Sequence, residues 1–269
     1  MIKYKIGIQL TKNPETYLRL ISDFKTKNNI EFYHITNDDI LKQKFKDLDI
    51  LLTHRMNEKL FSFSSQKLKW IHFGSAGIED SLFSSLLKSK TIITNSSGIH
   101  ADPVSEFVMA RILYFAKQFN SCEKFYKNRE WNQWKIAKKM QNLKDKTIGI
   151  IGFGSIGKAI ASKAKSFGMR IIATRRLQKK IENKKSVDYL IPLTNLDFLL
   201  KESDYIIISC PLTKMTRGMI SENEFKKMKK TSYIINIARG PIVDESYLIK
   251  NLNENKIAGA ALDVFDQEP

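Results

Sequence analysis

The chain has 269 residues, 42% of them hydrophobic, and its 45 Lys and Arg against 28 Asp and Glu give a formal net charge of +17. That length suits two compact domains, and the longest apolar runs, such as Tyr205-Ile206-Ile207-Ile208, are strand-sized, far below the roughly 20 residues of a membrane span. Two cysteines, Cys122 and Cys210, exclude a disulfide framework and a zinc cluster, and lysines scattered over every expected helix, with no block and no interleaved aromatic stripe, argue against nucleic acid or membrane as a partner.

The N-terminus alternates like a strand and has neither the apolar stretch nor the cleavage site of a secretory signal, so the cytoplasm is the expected compartment. No metal is expected. From there, short apolar strands alternate with helical patterns: strand Tyr4–Leu10, helix Pro14–Lys25, and strands Glu31–Ile35, Asp49–Thr53, Leu68–Phe73 and Thr91–Asn95. A long apolar-faced helix runs from about Pro103 to Phe119. The polar segment Cys122 to Gln141, with Trp131 and Trp134, reads as a connection. A second unit then begins: strand Thr147–Ile151, helix Ser155–Phe167, strands Arg170–Thr174, Val187–Ile191, Asp204–Ser209, Tyr233–Ile237 and Ala258–Val264. Helices near Leu196–Lys201, Glu222–Lys229 and Glu245–Asn253 separate the later strands. The rhythm predicts α/β architecture, with two units of parallel sheet and helices on both faces.

Gly152-Phe153-Gly154-Ser155-Ile156-Gly157 fits G-x-G-x-x-G. The pattern is weak alone, but here a buried strand enters it and an amphipathic helix leaves it. Gly152 permits the tight turn, Gly154 lets backbone approach a pyrophosphate, and Gly157 lets helix pack on strand. The first-turn amides, including those at Ser155 and Ile156, then face the anion. An NAD site places Asp or Glu at the end of the next strand. This chain reads Thr174-Arg175-Arg176 there, with no acid between Asp145 and Glu182. Two guanidinium forks suit the 2′-phosphate of NADP. NADP(H) is therefore expected over NAD(H), which stays the alternative.

Further motifs follow in order: Gly74-Ser75-Ala76-Gly77-Ile78-Glu79, Pro103-Val104-Ser105-Glu106-Phe107, Cys210-Pro211-Leu212-Thr213 with Thr216, Ile235-Asn236-Ile237-Ala238-Arg239-Gly240-Pro241-Ile242-Val243-Asp244-Glu245, and Ala261-Leu262-Asp263 through Glu268-Pro269. With them the chain resembles the D-isomer-specific 2-hydroxyacid dehydrogenases over almost its whole length, in particular the glyoxylate/hydroxypyruvate reductase branch.

The resemblance implies a flavodoxin-like substrate domain, residues 1–98, and a Rossmann domain for NAD(P), residues 99–269 with the long helix. It implies Arg239 as the catalytic cation for the substrate carboxylate and carbonyl, and Glu268 as the carboxylate that keeps a histidine basic. It implies the amides of Ala76, Gly77 and Ile78 as a second carboxylate clamp, and Asp263 at the nicotinamide amide. Thr174, Cys210, Pro211, Leu212, Thr216, Ile237 and Ala238 join the cofactor contacts. A homodimer through the long helix and the segment after it is implied as well. The matching histidine would come after Pro269; His34, His54, His72 and His100 all precede the glycine turn. The expectation is a longer polypeptide whose further segment carries that histidine and the helix completing the first domain. The expected function is hydride transfer between NADP(H) and a small 2-oxo or D-2-hydroxy acid, glyoxylate or hydroxypyruvate among them. The alternative is a catalytically impaired dinucleotide-binding protein of the same fold.

Overall fold

The computed structural model describes residues 4–24, 29–184 and 186–268. It divides into two compact units, Met1–Ile99 and His100–Pro269.

The first unit runs β1 (Tyr4–Gln9), α1 (Pro14–Ile21), β2 (Ile30–His34), α2 (Asp38–Lys44), β3 (Ile50–Thr53), α3 (Glu58–Phe61), β4 (Trp70–Phe73), α4 (Ser84–Lys88) and β5 (Ile92–Asn95). Asparagine starts three of its helices. The side chains of Asn13, Asn37 and Asn57 accept the amides of Thr16, Ile40 and Leu60 at 3.0, 2.9 and 2.8 Å, the side-chain caps that free helix N-termini require. The short helices α2, α3 and α4 were not expected, because each carries too few turns to show a period of 3.6. Helix α1 ends at Ile21 and tightens into a 3-10 turn over Ser22–Phe24, shorter than expected; residue 25 of the expected helix lies outside the described residues.

The strands pair in parallel in the order β2-β1-β3-β4-β5, the flavodoxin-like arrangement. One face is dry. Leu41, Phe45, Leu48 and Leu86 pack there on Leu51, Ile71 and Phe73. On β4 the period of two sends Ile71 and Phe73 inward, while Trp70 on the other face is exposed.

The second unit runs α5 (Ala101–Ala116), α6 (Phe119–Lys127), α7 (Gln133–Ala137), β6 (Thr147–Ile151), α8 (Ser155–Ser166), β7 (Arg170–Arg175), β8 (Glu182–Lys184), β9 (Val187–Pro192), α9 (Leu196–Glu202), β10 (Tyr205–Ile208), α10 (Glu222–Phe225), β11 (Tyr233–Asn236), α11 (Glu245–Asn253) and β12 (Gly259–Leu262). Its sheet order is β12-β11-β10-β6-β7-β9-β8. The first six form the Rossmann order with β6 central, and β8 adds an unexpected antiparallel edge.

Strand β6 is buried at every position, so it reads as a continuous apolar run rather than an alternation. Ile148 and Ile150 meet Val108, Ile112, Ile160 and Ala164 of α5 and α8. Ile151 belongs to the opposite cluster, with Leu199 and Leu200 of α9. Lys163 of α8 reaches Asp102 of α5 at 2.9 Å. The long helix stops before its expected end because Gln118 turns left-handed, φ 56°, and its side-chain amide donates to the Phe115 carbonyl at 3.0 Å. The segment expected as a plain connection folds into α6 and α7, with Tyr126, Trp131 and Trp134 exposed. No helix among the described residues is long and apolar enough to cross a membrane, and no cluster among them suits a metal ion.

Candidate functional site

A cleft of about 500 Å³ opens in the second unit where β6 and β10 end, at the point where the strand order reverses and Rossmann sheets bind ligands. Gly152 sits at φ 106°, a left-handed conformation that side chains resist. A Cβ there would lie 2.7 Å from the Cys210 nitrogen. One on Gly157 would strike the Gly152 carbonyl, whereas one on Gly154 would meet nothing within 4 Å. The turn is therefore packed tightly on two sides and open on the third, where α8 begins and its amides point.

The surrounding loops are fastened to that turn. Phe153 donates its N–H to the Thr174 carbonyl at 2.9 Å, and Gly152 donates to the Thr174 hydroxyl at 3.2 Å. Ser209 donates its hydroxyl to the Gly152 carbonyl at 2.8 Å. Thr216 closes the loop after β10, donating to the Pro211 carbonyl at 2.7 Å and accepting the Thr213 amide at 2.8 Å. Burial pushes the Cys210 thiol up to about 11, so at neutral pH it is a protonated, inert wall.

The cleft's charge is one-sided. Lys158, Arg175 and Arg176 line it, and no Asp or Glu among the described residues does. A glycine cradle, a helix N-terminus and unopposed cations fit a dinucleotide with its phosphates.

Of the expected cofactor residues, Gly152, Gly154, Ser155, Thr174, Arg175, Arg176, Cys210, Pro211 and Thr216 line this cleft together. Ile156 and Leu212 turn their side chains into the two cores instead. Gly157 is buried beneath the turn. Lys158, Leu177, Leu193 and Met215 line the cleft as well, though no motif names them.

Strand β11 delivers Arg239. Asn236, 1% exposed, closes the turn that follows, accepting the Ala238 amide at 3.1 Å and donating to the Arg239 carbonyl at 3.0 Å. Ile237 and Ala238 are buried at the base of that turn, while Arg239 is exposed, with Nη1 donating to the Ala238 carbonyl at 2.7 Å. Gly240 lies flush on the Phe265–Asp266 peptide, with no room for a Cβ. The Asp263 amide extends the β11–β12 ladder onto the Asn236 carbonyl at 2.9 Å. Asp266 donates its amide to Glu245 at 2.7 Å, and Phe265 donates to Glu268 at 3.1 Å. Arg239, Asp263 and Glu268 thus stand on two loops packed backbone to backbone.

In the first unit, Asn95 donates to the Ala76 carbonyl at 2.6 Å and braces the turn after β4. The amides of Ala76, Gly77 and Ile78 donate to no acceptor among the described residues. His54 and Arg55 line a separate hollow of about 440 Å³ at the carboxyl ends of β1, β2 and β3. His34 and His54 donate to the Thr11 and Leu10 carbonyls, and His72 bridges the hydroxyls of Thr94 and Ser96.

Residues 109–269 match the family described as D-isomer specific 2-hydroxyacid dehydrogenase, NAD binding domain. The chain is 34% identical to the glyoxylate reductase of Thermococcus onnurineus over 96% of its own length and 78% of that protein. The chain belongs to the D-isomer specific 2-hydroxyacid dehydrogenases. The glyoxylate reductase of Thermofilum pendens is 38% identical over 85% of this chain and 68% of its own length. A crystal structure of a D-isomer specific 2-hydroxyacid dehydrogenase family protein from Aeromonas salmonicida superposes with a TM-score of 0.83 at 26% identity, covering 99% of this chain and 83% of that one. The dehydrogenase is thus an oxidoreductase that uses NAD(P)H on small 2-oxo and 2-hydroxy acids, in the branch similar to glyoxylate reductases.

Proposed function

We propose that the chain works with NADP(H) rather than NAD(H), reducing a 2-oxo acid of glyoxylate or hydroxypyruvate size to its D-2-hydroxy acid. The observation that carries the cofactor choice is Arg175 at the end of β7, followed by Arg176, in a cleft without a carboxylate. An acid there would accept the ribose hydroxyls of NAD and repel a 2′-phosphate, whereas two guanidinium groups grip it.

When bound, the nicotinamide supplies the hydride. Arg239 holds the substrate carboxylate and polarises its carbonyl, a task for which a planar fork of donors suits better than a point charge. Glu268 is the carboxylate of the acid–base pair, and Asp263 orients the nicotinamide amide. In the first unit, acting as substrate domain, the free amides of Ala76, Gly77 and Ile78 serve as carboxylate donors, and Ser75, His54 and Arg55 meet the substrate's side chain. Two copies pair through α5 and the α6–α7 segment. The exposed Tyr126 and Trp131, which line an apolar hollow of about 620 Å³, and the exposed Trp134 of α7 support that pairing.

The test is steady-state turnover of a 2-oxo acid panel with NADPH and with NADH. Faster use of NADPH with the smallest acids is expected, and equal or better use of NADH would sink the cofactor assignment. Tight dinucleotide binding with no turnover of any acid would favour a dinucleotide-binding role instead.

A further inference from the structure

We infer that Lys158 is a third arm of the 2′-phosphate site, so that preference for NADP(H) is set from helix α8 as well as from the end of β7. The inference rests on the NADP(H) reading above.

Lys158 sits one turn into α8, its amide donating to the Gly154 carbonyl at 3.0 Å. Helical side chains lean toward the N-terminus, which here is the mouth of the cleft, and Lys158 lines that cleft with Arg175 and Arg176. Thr174 ties the end of β7 to the same glycine turn. Ammonium and guanidinium therefore approach one hollow from two elements.

The other lysines of α8 are committed. Lys163 pairs with Asp102 at 2.9 Å and Lys165 with Asp188 at 2.8 Å. Lys158, Arg175 and Arg176 form no ion pair with any described residue. Three like charges around one hollow repel each other until an anion enters. A phosphomonoester, carrying about −1.5 to −2 at neutral pH, relieves that repulsion more than a ribose hydroxyl can. The pyrophosphate already has the amides of the helix N-terminus, which leaves the ammonium to the monoester.

Lys158→Gln and Lys158→Arg, both at an exposed helix position, test this by calorimetric titration with NADPH, NADH, 2′,5′-ADP and 5′-ADP. Lys158→Gln is expected to weaken NADPH and 2′,5′-ADP by roughly tenfold to a hundredfold, the size of one contact to a charged group. NADH and 5′-ADP should stay within about twofold, and Lys158→Arg should restore most of the loss. Equal weakening of both cofactors would place Lys158 on the pyrophosphate and overturn the inference, as would no change in any ligand. Arg175→Ala runs alongside. If it loses NADPH selectively while Lys158→Gln does not, only the role of Lys158 falls. A wild-type protein that binds NADH as tightly as NADPH removes the NADP(H) reading and this inference with it.

Discussion

The side-chain amide of Asn236 is closed at both ends on the turn that carries Arg239, accepting the Ala238 amide at 3.1 Å and donating to the Arg239 carbonyl at 3.0 Å. Both bonds are made by a side chain only 1% exposed. Replacing Asn236 by Ala removes two bonds and leaves the buried Ala238 amide without its acceptor, while the Arg239 carbonyl keeps the Ile242 amide, a cost of about 2 kcal/mol. The urea midpoint of Asn236→Ala should fall accordingly. Binding of a 2-oxo acid analogue such as oxamate should weaken more than binding of NADPH, because Arg239 loses its support while the glycine turn does not. An unchanged midpoint would remove Asn236 from this role.

Glu245 and Asp266 form the second tether, 21 residues apart and 2.7 Å in length. A hydrogen bond to a charged acceptor contributes about 1.5–3 kcal/mol. In Glu245→Ala, hydrogen exchange at the Asp266 amide should therefore speed up by roughly tenfold or more, with β6 unaffected. Equal exchange in both proteins would show that the Gly240 contact alone holds the loop.

These two tethers mark where the sequence was readable and where it was not. The glycine turn and Arg175 lie within one βαβ unit, where spacing alone constrains geometry, and both were legible. The bonds of Asn236 close a turn inside a recognisable motif, but nothing in the letters says which side chain closes it. Glu245 meets Asp266 only through tertiary packing. Lys158 follows the last glycine of the pattern and is one of 45 basic residues; only the carboxylate partners of Lys163 and Lys165 make it stand apart. The left-handed Gln118 and the three-residue strand β8 were hidden for a similar reason, since neither carries a periodic signal.

Gly152→Ala should bind both dinucleotides more weakly by about tenfold or more, since a left-handed alanine costs on the order of 1–3 kcal/mol and its methyl group would press on the Cys210 backbone. NADPH and NADH should be affected alike, in contrast to changes at Arg175. A variant that binds as well as wild type would show that the turn does not cradle the pyrophosphate.

Cys210 supplies a pH-dependent prediction. Burial raises its pKa from 9.0 to about 11, so the unfolded chain releases this proton first. The contribution to stability is complete below pH 9 and is lost as pH rises toward 11. In a Cys122→Ser background, iodoacetamide should label native Cys210 negligibly at neutral pH and increasingly only near the raised pKa. Rapid labelling at neutral pH would show a thiolate the packed cleft does not allow.

On the proposed pairing through α5 and the α6–α7 segment, the wild-type protein should sediment as a dimer and the replacement of Trp131 and Trp134 together by Ser should make it a monomer, since large apolar side chains dominate such contacts. A dimer that persists would place the interface elsewhere.

The most direct measurement is the dissociation constant of wild-type protein for NADPH and for NADH at low ionic strength, determined side by side by calorimetry. NADPH is expected to bind at least about tenfold more tightly, the effect of two charge-assisted forks on one phosphate. Equal affinities, or tighter binding of NADH, would contradict the assignment of Arg175 and Arg176 to the 2′-phosphate.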